Sequence, residues 1–129
     1  VSDPNPTTPT RDPIDRGSLL ERCMGDAGFA SIILGKFQSR LGSMAAAVEA
    51  ASVGGDAAAA GRAGHALKGA AANLSAAGVE AVAAQVEAAG AGGDVAAVAR
   101  LVPQLRAEVA RCLSFLPTLA AELSRSAAV

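Results

Sequence analysis

The stretch Gly64 to Gly78, GHALKGAAANLSAAG, decides how the rest of the chain is read. It holds the only histidine of the sequence, His65, followed one helical turn later by Lys68 and at once by Gly69. Residues three and four apart on a helix share a face, so His65, Lys68 and Gly69 project together, with Gly61 a turn before and Ala72 a turn after. That face carries one nucleophile, one cation and no bulk. The opposite stripe, Ala63, Leu67, Ala70, Ala71 and Leu74, is apolar and is expected to turn into a core. Gly61, Gly64 and Gly69 all fall inside the same helix, where each costs about 1 kcal/mol relative to alanine. Their presence points to the close approach of another surface.

Working outward, Asp56 is placed as the N-cap of this helix, which is expected to run to about Ala77. Before it, Gly54 and Gly55 close a long helix that Asp26 caps, with Ile33, Phe37, Leu41, Met44, Val48 and Ala51 forming one stripe. Phe29, Ile32 and Leu34 fall outside that stripe, so some must cover the first helix and others stay open to a partner. Ile14 to Met24 predicts a short first helix, capped by Asp15 or Ser18 and ended by Gly25. After the central stretch, Gly78 separates a fourth helix with Val79, Val82 and Val86 on one side, ending in the turn Gly90 to Gly93. Asp94 then caps a fifth, whose seam runs Val95, Val98, Val102, Leu105, Val109, Cys112 and Leu116. Pro103 lies inside that seam and is expected to kink the helix without ending it. Pro117 is expected to end the packed part.

The fold class that follows is all-α, an antiparallel up-down four-helix bundle with a short additional N-terminal helix, because short turns make successive helices antiparallel neighbours. The domain is expected over residues 14–117. Residues 1–13, with four prolines, read as a flexible tail or linker from something larger, and 118–129 as a helical extension or frayed tail.

Composition agrees with packed helices. Hydrophobic residues make up 51% of the 129-residue chain, half of them alanine, with three phenylalanines and no tryptophan or tyrosine. Strands would want more β-branched and aromatic residues. The net charge of −1 and the absence of basic blocks or aromatic platforms argue against nucleic acid as a partner. No apolar run reaches membrane-spanning length, and no secretory signal is visible, so a cytoplasmic protein is expected. Cys23 and Cys112 are far apart and read as two half-buried thiols, without a disulfide and without a zinc site.

The central stretch resembles the phosphorylation motif of histidine-containing phosphotransfer (HPt) domains, which typically read His-x-Leu-Lys-Gly-small-small-x-Asn-Leu-Gly-Ala. His65, Leu67, Lys68, Gly69, Ala70, Ala71, Asn73, Leu74 and Ala76 match, and Ser75 departs where the motif has glycine. In helix order and length the resemblance runs from about Ile14 to about Leu116. It implies a phosphorelay carrier, not an enzyme in the ordinary sense. His65 would accept a phosphoryl group from a response-regulator receiver aspartate or a hybrid histidine kinase and pass it to another receiver. A neutral imidazole has the lone pair for that attack at physiological pH. Lys68 would place a cation near the phosphoryl oxygens, and Gly69 would leave room for the group and the partner. Glu87 on the returning helix would hydrogen-bond the imidazole Nδ1 and leave Nε2 as the nucleophile, with Gln85 as the substitute if the register differs. Asn73 is expected to satisfy backbone groups near the helix end, and Ser75 to matter to that turn without being a phosphosite.

No cofactor is expected on this chain. The resemblance places the Mg²⁺ of phosphoryl transfer on the partner receiver, and the protein is expected to act as a monomer. Two other readings stand beside the carrier. An inert helical adaptor needs only the bundle. The dimerisation and phosphoacceptor domain of a histidine kinase typically follows its histidine with an acidic residue, where this chain has Ala66, and the remaining residues leave no room for an ATP-binding domain.

Overall fold

The computed structural model describes residues 12–128, with side-chain environments as far as Arg125. Five helices and no strand occur among the described residues: α1 (Arg16–Arg22), α2 (Ala27–Val53), α3 (Ala57–Asn73), α4 (Ala77–Ala91) and α5 (Val95–Ala128). The tail expected over 1–13 lies almost wholly outside them. Of its residues, Pro13 is half-buried and its carbonyl accepts a weak hydrogen bond from Cys112 Sγ at 3.8 Å.

Four aspartates start four helices. The carboxylates of Asp15, Asp26, Asp56 and Asp94 accept from the backbone N–H groups of Ser18, Phe29, Ala59 and Ala97 at 3.1, 3.0, 3.0 and 2.9 Å. Each cap satisfies a donor that has no partner within its helix and contributes about 1 kcal/mol. α4 begins at Ala76 with no side-chain cap. Here the expected boundaries shift. α3 ends at Asn73, several residues before Ala77, because Ser75 turns the chain at a left-handed φ of +58°. Gly78, expected to separate two helices, lies inside the first turn of α4, where an added Cβ would collide with the Glu108 carboxylate of α5.

The long helices pack as a ring: α3 against α2 and α4, and α5 against α4 and α2. α3 and α4 run antiparallel, with Gly61 against Gly90 and Gly64 against the Glu87 backbone. A Cβ on Gly90 would lie 2.5 Å from Gly61 Cα, and one on Gly64 would lie 3.0 Å from Glu87 N. For two of the three glycines, the closely approaching surface expected from the sequence is therefore α4 of the same chain. The third, Gly69, is exposed, with nothing within 4 Å of an added Cβ.

The core runs the length of the bundle through Phe37, Leu41, Val48, Leu67, Val86 and Leu105. At one end α1 closes it with Ile14 and Leu19. The backbone N–H of Asp15 donates to the Ser75 carbonyl at 3.0 Å, and Arg16 pairs with Glu122 at 3.0 Å, tying α1 to the α3–α4 turn and to α5. α5 is one helix through both Pro103 and Pro117, which are exposed. The expectation that packing stops at Pro117 is corrected by Leu119 and Leu123, 0% and 1% exposed and part of the core. An interior proline costs roughly 3 kcal/mol, and burying two leucines at about 1.5–3 kcal/mol each is enough to offset it. Cys23 and Cys112 are free thiols, fully rather than half buried, and burial pushes the Cys112 thiol up to about 11. No helix among the described residues is long and apolar enough to cross a membrane.

Candidate functional site

His65 follows directly on Gly64, which is buried against α4, while Ala60, Leu67 and Ala71 point into the core. One residue past that buried stripe, the imidazole emerges at the edge of the α3–α4 seam with its side chain 69% exposed. Lys68, a turn later, falls on the α4 side of the same edge. The antiparallel register brings Glu87 of α4 opposite both.

The Glu87 carboxylate bridges them. One oxygen lies 2.7 Å from His65 Nδ1 and the other 2.6 Å from Lys68 Nζ. The Lys68 hydrogen bond first, and the His65 hydrogen bond second, hold the Glu87 carboxyl below its ordinary range. An ionised carboxylate only accepts, so the proton between it and the ring sits on Nδ1, and in the neutral ring the lone pair is then on Nε2, at the edge away from Glu87. Chemically this is an imidazole oriented by a carboxylate that also supplies a counter-charge beside the ring.

His65, Lys68 and Glu87 come together in one hydrogen-bonded group. Gln85 is exposed, and it is Glu87 that meets Nδ1. Gly69 lies open one turn beyond His65, while Gly61, expected on the same face, is buried against Gly90. Asn73 is exposed as the last residue of α3 and borders a groove between α2 and α3 with Ile33, Lys36 and Arg40. Near the start of α2, Phe29 and Ile32 are 49% and 58% exposed, whereas Leu34 is buried at 3%.

The sequence reading assigned Lys68 to the phosphoryl oxygens alone and did not foresee its pairing with Glu87. The pairing follows from the tertiary register, since α4 packed on Gly64 brings both His65 and Lys68 to Glu87. It also passed over Arg62, which lines a concavity beside His65 with Gly61, Glu87 and Gly90. Among the described residues, no group of three or more histidine, cysteine, aspartate and glutamate side chains is placed to share a metal ion.

Comparison with curated proteins and with solved structures returned no match. A family model does match, that of the Hpt domain, over residues 30–115. The match spans α3, α4 and most of α2 and α5, and so contains the whole His65–Lys68–Glu87 group. The chain belongs to the Hpt domain family, whose members carry phosphoryl groups in two-component signalling and are carriers rather than catalysts.

Proposed function

We propose that this protein is a phosphorelay carrier with His65 as its phosphoacceptor. The observation that supports this most is the exposed imidazole held by Glu87 through Nδ1 at 2.7 Å, which leaves Nε2 free toward solvent. In the forward step the Nε2 lone pair attacks the phosphorus of an aspartyl phosphate on a receiver domain. The P–O bond breaks, its electron pair returns to the aspartate carboxylate, and the N–P bond forms. The Nδ1 proton stays where it is, hydrogen-bonded to Glu87. Reversal onto a second receiver passes the group on.

Lys68 keeps Glu87 ionised and brings positive charge within one turn of the nucleophile. Gly69 gives the phosphoryl group and the receiver an unobstructed approach. The receiver docks over the His65 edge and the α2–α3 groove, with Lys36 and Arg40 facing its acidic surface and the exposed Phe29 and Ile32 extending the apolar contact. Mg²⁺ belongs to the receiver, and the carrier works as a cytoplasmic monomer, fed by a receiver or a hybrid kinase.

The test is incubation with a phosphorylated receiver. Acid-labile, base-stable label should appear on the wild type and be absent from His65→Gln. With a side chain 69% exposed, that variant should keep its helicity and melting temperature. A wild type that binds the receiver and takes no label would be an adaptor, and a variant that unfolds would make His65 a structural residue.

A further inference from the structure

We propose that Arg62 is a second residue of the phosphoryl site, meeting the phosphoryl oxygens on Nε2 from the side of His65 opposite Lys68. The proposal rests on the carrier reading and adds to it a residue for the transferred group.

The two nitrogens of an imidazole lie on opposite edges of the ring. With Nδ1 turned to Glu87 of α4, Nε2 points away from α4. At about 3.6 residues per turn, Lys68 lies on the α4 side of His65, while Arg62 and Gly69 lie on the outward side toward which Nε2 points. Lys68 has already committed its ammonium to Glu87 at 2.6 Å. Arg62 has no carboxylate partner among the described residues, in contrast to Arg16, Arg106 and Arg111, which are paired.

The surface supports the same assignment. Arg62 and His65 line one concavity, whose floor is the Gly61–Gly90 crossing and whose far wall is Ala91. Apart from Glu87, the α4 residues that line it are the small Gly90 and Ala91, and the two helices meet there backbone to backbone. A tetrahedral dianion on Nε2 would stand on the outward side of His65, one turn from a guanidinium whose fork fits two phosphoryl oxygens. The arginine would stabilise both the negative charge of the phosphohistidine and the charge on the equatorial oxygens during transfer.

A small phosphodonor separates contact with the phosphoryl group from contact with a protein partner. With phosphoramidate, the Nε2 lone pair forms the new N–P bond while the donor's own N–P bond breaks and its electron pair leaves on ammonia. No receiver surface is involved. Wild type, Arg62→Gln, Arg62→Lys and His65→Gln should be compared for phosphorylation rate, for half-life of the isolated phosphoprotein, and for ³¹P chemical shift. The Arg62 variants should melt like wild type, since Arg62 is exposed and has no carboxylate partner among the described residues. Arg62→Gln is expected to be phosphorylated roughly three- to tenfold more slowly, the size of one solvent-exposed charge-assisted contact. It should also show an altered half-life and ³¹P shift, with Arg62→Lys recovering part of each. If Arg62→Gln matches wild type in all three while slowing only in transfer from a receiver, Arg62 is a docking residue and the proposal is overturned. If wild type itself takes no label at His65, the carrier reading falls and this proposal with it.

Discussion

Glu87 of α4 lies 2.7 Å from His65 Nδ1 and, through its other oxygen, 2.6 Å from Lys68 Nζ, so one carboxylate orients the imidazole and holds the neighbouring cation. Glu87→Ala should therefore slow phosphoryl transfer by between about tenfold and a hundredfold without abolishing it, as loss of an orienting carboxylate does at metal-bound histidines. ¹⁵N spectra of the ring should show the Nδ1–H tautomer losing population to Nε2–H. Equal tautomer populations in the two proteins would mean that Glu87 does not act on the ring. The pH dependence has a definite sign. A carboxyl held below its ordinary range keeps its bonds until the pH falls through that lowered value, so the wild-type arrangement should persist through the usual carboxylate range and fail only at more acid pH.

The three glycines of α3 should part company on substitution. Gly69 has open space around it, so Gly69→Ala should stabilise the protein by up to about 1 kcal/mol, and Gly69→Leu should fold as well as wild type but transfer poorly. Gly64 is different. Its new Cβ would sit 3.0 Å from both Glu87 N and Val86 Cγ1 and 3.1 Å from the Ala83 carbonyl. Gly64→Ala should cost about 1–3 kcal/mol through overpacking, and the displaced Glu87 should slow transfer as well. Denaturant melts and transfer rates on the two alanine variants check both halves. Equal stability changes at the two positions would remove the distinction between packing and clearance.

Much of this was legible because aspartate caps and apolar stripes are local signals. Asp26, Asp56 and Asp94 mark helix starts without any knowledge of the tertiary structure, and the α2 and α5 seams fix which faces meet. What was misread depends on the neighbouring helix. Gly61 and Gly64 show from the sequence only that some surface comes close, and the position of α4 shows that they admit its backbone. Gly78 reads as a breaker because its packing against Glu108 is not local. The run Ala70–Ala72 carries no stop signal, so the end of α3 was placed too late. Glu87 was found from antiparallel geometry and the family resemblance together, whereas its bond to Lys68 needed the side chains.

The C-terminal part of α5 provides a test of the corrected boundary. The seam Val109, Cys112, Leu116, Leu119, Leu123 keeps its three- and four-residue steps across Pro117, and Leu119 is fully buried. Leu119→Ala should cost about 2–5 kcal/mol, the range for emptying a buried leucine site. A change within about 0.5 kcal/mol, typical of exposed positions, would return this segment to the status of a frayed tail.

Ser75 is where the chain departs from the family motif, and it carries two separable costs. Its φ is +58°, in the left-handed region that disfavours a Cβ by about 1–2 kcal/mol, and its hydroxyl oxygen is buried with no hydrogen-bond partner among the described residues. The turn it makes is needed, because its carbonyl receives the Asp15 N–H that ties α1 to the α3–α4 connection. Ser75→Ala removes only the orphaned hydroxyl and should gain about 1 kcal/mol. Ser75→Gly removes both costs but gives the unfolded chain more freedom, which takes back about 0.4–1 kcal/mol. The glycine variant should therefore be the most stable of the three, by about 1 kcal/mol or more over wild type, which is a rise of roughly 4 °C in Tm for a domain of this size. Calorimetric melts of wild type, Ser75→Ala and Ser75→Gly, together with transfer rates that should not change, decide it. A glycine variant less stable than wild type would show that the Ser75 side chain contributes a contact that outweighs both costs.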